Sequence, residues 1–122
     1  MAMSAPLDTQ VSYRFGVPLV YVGGELDYGS ADHLREIIDE ELRSDPRVLL
    51  LELSRLEYMD SRGLSLFFTT VERLKDGGLL GVVSPKPNVR RLAEMTGLAD
   101  QRAFRFIEDL DAVPAFIAEL PE

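Results

Sequence analysis

The chain contains no cysteine at any of its 122 positions. Disulfides, thiolate nucleophiles and thiolate zinc sites are therefore excluded together. Basic residues are also scarce, with thirteen lysines and arginines against twenty-one acidic side chains and a formal net charge of -8. Such a surface repels phosphate backbones and anionic lipid heads, which argues against nucleic acid and membrane as partners. The apolar runs extend only a few residues, far short of a membrane span. The first six residues hold no basic residue and no long apolar stretch, so they do not read as a secretory signal. The chain reads as cytoplasmic. One histidine, His33, lies among charged neighbours and reads as a surface residue. Neither a P-loop nor a dinucleotide fingerprint occurs, and the Gly-x-Ser-x-Gly pattern of a hydrolase elbow is absent.

What remains is an ordinary globular composition, 46% hydrophobic and 28% charged, at the usual length of one domain. Residues 1–8 read as a flexible N-terminal arm and 9–122 as the domain. Val11, Tyr13 and Phe15 alternate as in a half-buried edge strand, and Gly16 marks a tight turn into a second strand through Val20 and Val22. Residues 23–29 are expected to form a long loop, with Ser30 capping a helix that carries Leu34, Ile37, Ile38 and Leu42. The nearly continuous apolar stretch Val48 to Leu53 predicts a central strand covered on both faces.

A second helix is expected after Asp60. At 100° per residue, Leu64, Phe67, Phe68, Val71 and Leu74 share an arc of roughly 120°, the predicted core face. Asp76-Gly77-Gly78 ends that helix, and Leu79 to Val83 form a fourth strand. A third helix from about Asn88 to Met95 ends at Gly97, with Leu98 packing back. Phe104 to Ile107 read as the last strand. The final helix carries Val113, Phe116, Ile117 and Leu120, with Asp111 as its cap and Pro114 in the first turn. Glu108, Asp109 and Asp111 read as capping groups, not metal ligands, and no cofactor is expected. The order ββαβαβαβα describes an α/β domain with a mixed central sheet of four to five strands and about four helices.

The informative segment is Tyr58-Met59-Asp60-Ser61-Arg62-Gly63-Leu64, joining a buried strand to a helix start. That edge is where α/β domains place their sites. Asp60 or Ser61 can cap the free N–H groups of the first turn. Ser61, beside a flexible Gly63 and the charged Arg62, also suits a phosphorylation switch. Phosphate adds nearly two negative charges, which a helix N-terminus tolerates and an interface does not. Leu66 lies about 200° around the helix from Leu64, so it is expected to be exposed where a partner covers apolar surface.

At Asp60-Ser61-Arg62-Gly63-Leu64 the chain resembles the anti-sigma factor antagonists of the bacterial STAS-domain family. Gly24-Glu25-Leu26-Asp27, Leu50 to Ser54, Leu56 to Met59, Leu79 to Ser84 and Thr96-Gly97-Leu98 extend the resemblance over nearly the whole chain. It implies a protein-binding switch with no enzymatic activity of its own. The unphosphorylated domain would bind an anti-sigma factor with serine kinase activity and so release a sigma factor. Phosphorylation of Ser61 would abolish that binding, and a separate serine phosphatase would restore it. By the same resemblance Asp60, Arg62 and Gly63 surround the phosphoacceptor, while Glu25 and Asp27 lie on the neighbouring loop that meets the kinase. Arg62 stands where many members carry a second Ser or Thr. A competing reading is a STAS scaffold or transport-accessory domain that is never phosphorylated.

Overall fold

The computed structural model describes residues 6–74 and 76–121. Most of the expected arm lies outside the described residues, and Asp8 already pairs with Gly23 in the sheet. β1 (Asp8–Arg14) and β2 (Val17–Leu26) form an antiparallel hairpin. Phe15 and Gly16 both take positive φ, 59° and 78°, the two-residue turn whose twist matches that of its strands. After α1 (Ala31–Leu42) come β3 (Val48–Met59), α2 (Ser61–Arg73), β4 (Leu79–Val83), α3 (Pro87–Met95), β5 (Phe104–Ile107) and α4 (Val113–Ala118). Single 3-10 turns at Leu98–Asp100 and Leu110–Ala112 precede β5 and α4.

The sheet order is β1-β2-β3-β4-β5, with β2 to β5 mutually parallel. Strand order follows chain order, and α1, α2 and α3 all pack on one face, around Val20, Val22, Leu49, Leu51, Leu53, Leu80 and Val82. The opposite face carries a smaller core in which Val17, Leu19, Val48, Leu50, Val83 and Ile107 meet Val113 of α4 and its neighbours. Alternate residues of β3 therefore feed two separate cores, which explains its unbroken apolar run. Gly97 holds φ 86°, and Leu98 after it is fully buried, the helix end its spacing implied.

Four expectations are corrected. β1 is an edge strand, but Val11 and Tyr13 are exposed: the core on this face takes in Val20, the partner of Val11 on β2, and does not extend to either of them. The long loop over residues 23–29 is mostly strand: two irregularities in the β2–β3 register carry Gly23, Gly24 and Glu25 through the ladder to Leu26. Both irregularities place the extra residue on β3, opposite the Gly23-Gly24 stretch, where a Gly23 Cβ would lie 3.2 Å from Arg55 Cβ; this strand use of glycine resembles a turn in sequence. The last helix is preceded by a 3-10 turn whose cap is Asp109, accepting from the Ala112 N–H at 3.0 Å, and not Asp111.

The fourth concerns α2. Its buried residues are Gly63, Leu66, Phe67, Thr70, Val71 and Leu74, so the core face is turned toward Gly63. Leu66 is 7% exposed, whereas Leu64 and Phe68 are only partly buried. Side-chain-free Gly63 and hydroxyl-bearing Thr70 belong to the inward face, and a count of apolar residues alone misplaces its centre. The Thr70 hydroxyl remains satisfied by donating to Leu66 O at 2.7 Å.

Candidate functional site

β2 and β3 end side by side, with Leu26 opposite Met59 and Glu25 opposite Tyr58. The residues that follow, Asp27 and Asp60, therefore leave the sheet together at its carboxyl edge. The Asp60 N–H continues the ladder by donating to Leu26 O at 3.0 Å. Its carboxylate then joins both loops. Oδ1 accepts from the N–H groups of Arg62 at 2.8 Å and Gly63 at 3.2 Å, satisfying two of the free donors of the first turn of α2. Oδ2 accepts from the Tyr28 N–H at 3.0 Å, across the gap to the β2–α1 loop. Of the two capping candidates, Asp60 takes the role.

Ser61 is consequently the first residue of α2, exposed, with a hydroxyl that makes no hydrogen bond to any described residue. Among the described residues no general base hydrogen-bonds to it, and His33 sits on the exposed side of α1 with Nε2 3.4 Å from Thr9 Oγ1. Arg62 is also exposed and lays its guanidinium over the Tyr28 ring, 4.6 Å from the centroid. Such a stack at an exposed site contributes about 0.5–1 kcal/mol.

Gly63 is not a source of flexibility. A Cβ there would lie 2.7 Å from Met59 Cγ and 2.8 Å from Leu26 Cγ, so the missing side chain lets α2 start directly against the sheet. The start of α2 is thus seated directly on the sheet from below and open above.

Glu25 and Asp27 differ in what their carboxylates do. Asp27 Oδ1 accepts from the Gly29 N–H at 3.0 Å and lies 3.1 Å from the Ser30 hydroxyl, while Asp27 O accepts from the N–H groups of Ser30 and Ala31. The Ser30 hydroxyl shares its proton between Asp27 Oδ1 and Glu25 O, 2.9 Å away, and accepts from the Asp27 N–H. Asp27 and Ser30 fold this loop around themselves. The half-buried Glu25 makes no side-chain hydrogen bond or ion pair with the described residues. Leu66, expected on the contact surface, lies beneath it instead, its edge reaching a shallow groove with Arg35, Arg62 and Ser65.

Two contributors escaped the sequence reading. Tyr28, 75% exposed, supplies both the platform under Arg62 and the N–H that Asp60 holds. The start of α3 also reaches the end of β3, through Asn88 Nδ2 donating to Glu57 O at 3.0 Å and Lys86 Nζ 3.4 Å from Glu57 Oε1. Only the adjacency of β3 and β4, invisible in local sequence, brings these groups together.

The STAS domain family matches residues 7–112, a span that takes in all five strands and this loop pair. The chain belongs to the STAS domain family. Similar curated proteins carry the name anti-sigma factor antagonist. The anti-sigma-F factor antagonist RsfB of Mycobacterium tuberculosis is 33% identical over 110 residues, covering 88% of each chain. The anti-sigma-B factor antagonist of Staphylococcus aureus is 35% identical over 82 residues, covering 66% of this chain and 76% of that one. An anti-sigma factor antagonist from Mycobacterium paratuberculosis superposes with a TM-score of 0.84 at 32% identity, over 96% of this chain and all of that one. The fold is also that of SpoIIAA in its unphosphorylated form, with a TM-score of 0.71 at 17% identity over 91% of this chain and 97% of that one. In this STAS domain, no helix among the described residues is long and apolar enough to cross a membrane.

Proposed function

We propose that this STAS domain is an anti-sigma factor antagonist whose grip on an anti-sigma factor is controlled by phosphorylation of Ser61. The observation that carries the reading is the division of labour at the start of α2. Asp60 caps the helix, which leaves the exposed Ser61 hydroxyl with no structural task. A serine needed for the cap would be costly to modify; this one is not.

The energetics favour control of binding over control of folding. A phosphate of nearly two negative charges at N1 gains about 0.3–1 kcal/mol from the helix dipole. Beneath a partner the same group loses its hydration, a cost of several kcal/mol unless the partner pairs it. Each 1.4 kcal/mol changes affinity about tenfold, so the interface term decides. The partner in this reading is an anti-sigma factor with serine kinase activity, and a serine phosphatase resets the switch. Glu25, Ser61 and Arg62 form the contact surface, while Asp27, Asp60 and Gly63 hold its shape. The experiment is affinity capture from the source cells with unmodified protein and with Ser61→Asp as baits. A chain bearing an anti-sigma kinase domain, held by the first bait and lost from the second, supports the reading. Equal recovery on both baits contradicts it.

A further inference from the structure

The edge of the sheet opposite the switch has a different character. The segments entering β3, β4 and β5 lie side by side there, tied by Leu79 N–H to Arg47 O at 2.9 Å and Leu80 N–H to Ala103 O at 2.7 Å. They border a cleft of about 550 Å³ lined by Arg47, Arg102 and Arg105, with Gly77 and Gly78 on one side and Leu120 and Pro121 on the other. Clefts of about 300–1,000 Å³ are the usual size of small-molecule sites.

Three of the thirteen basic residues of a chain with net charge -8 therefore meet in one cleft, and among the described residues no acidic one lines it. None of the three makes an ion pair with a described residue, whereas Arg35, Arg43, Arg73 and Arg90 each do. Asp45 and Asp76 lie beyond Arg47 in an adjoining groove, which they share with Arg73. Arg105 is already ordered: its Nη1 donates to Arg102 O at 2.9 Å and to Phe104 O at 2.7 Å. A guanidinium offers five N–H donors, so most of its capacity remains for a ligand. Gly78 lets this wall of the cleft lie close against the end of α2, because a Cβ there would fall 2.9 Å from Leu74 O.

We propose that this cleft binds a small oxyanion carrying two or more negative charges. Planar guanidiniums match phosphate and carboxylate oxygens in paired hydrogen bonds, and convergence of three of them favours a multivalent anion over a single charge. The site stands at the end of the sheet remote from Ser61 and does not depend on the switch.

The test uses the full chain at low ionic strength, titrated separately with inorganic pyrophosphate and with citrate, read by calorimetry and by amide chemical shifts. We expect saturable one-to-one binding of at least one probe. The shifts should centre on Gly77, Gly78 and Ala103, with Tyr28 and Gly63 unmoved. Preference for pyrophosphate assigns a phosphate ligand, and preference for citrate a polycarboxylate. Arg47→Ala combined with Arg102→Ala, both exposed positions, should weaken binding at least tenfold while amide spectra stay folded. Absence of saturation up to about 10 mM of both probes, or binding unchanged in the double variant, overturns the proposal.

Discussion

Asp60 Oδ2 and the backbone N–H of Tyr28 lie 3.0 Å apart although 32 residues separate them in the chain. With the two contacts of Oδ1, this one carboxylate sets both the start of α2 and the position of the loop before α1. Asp60→Ala removes all three acceptor contacts. Loss of a cap costs about 0.5–2 kcal/mol, and the upper half of that range is expected because the Tyr28 contact goes too. Asp60→Asn retains a capping oxygen and should lose less. Urea unfolding of both variants checks this order.

Gly63→Ala places a methyl group within 3 Å of both Met59 and Leu26. The alanine gains about 1 kcal/mol of helix propensity, whereas overpacking a filled core costs about 1–3 kcal/mol. Two buried side chains must move, so net destabilisation of about 1–2 kcal/mol is expected. An unchanged denaturation midpoint would mean that the contact between α2 and the sheet is looser than the structure has it.

Leu66→Ala separates the two placements of that residue. On an exposed face the substitution would change stability by under about 0.5 kcal/mol. Buried at 7% exposure between α1 and α2, it should cost about 2–3 kcal/mol, near the low end for core leucines because it borders the groove. Thermal unfolding distinguishes these outcomes directly.

Arg62→Ala removes an exposed stack on Tyr28 and no ion pair with a described residue. Stability should fall by no more than about 1 kcal/mol. A larger effect on capture of the partner than on unfolding would assign Arg62 to the contact surface.

Much of this architecture was legible from the chain because local pattern and tertiary role agree. The hairpin turn at Gly16, the two-faced β3 and the Gly97 helix end each follow from residues close in sequence, although Phe15 belongs to the turn and not to the strand. The errors arose where a residue's role depends on a distant neighbour. Leu66 is buried because α1 packs beside α2, and Gly63 is required because Leu26 and Met59 occupy the space where its Cβ would lie. Asp27 and Glu25 look equivalent as acids two residues apart, yet only Asp27 has the geometry to close its loop on Ser30. At the site, the Asp60-Ser61 pair was legible, and the choice of Asp60 as cap needed coordinates.

On the proposed function, a phosphate on Ser61 blocks a partner without unfolding the domain. Calorimetric titration of the captured anti-sigma factor with unmodified and Ser61-phosphorylated protein, whose thermal unfolding is recorded in parallel, tests it most directly. Closely similar unfolding temperatures are expected, with an affinity at least about tenfold weaker for the phosphorylated form. Equal affinities, or a loss of binding that merely tracks a collapse in stability, would contradict it.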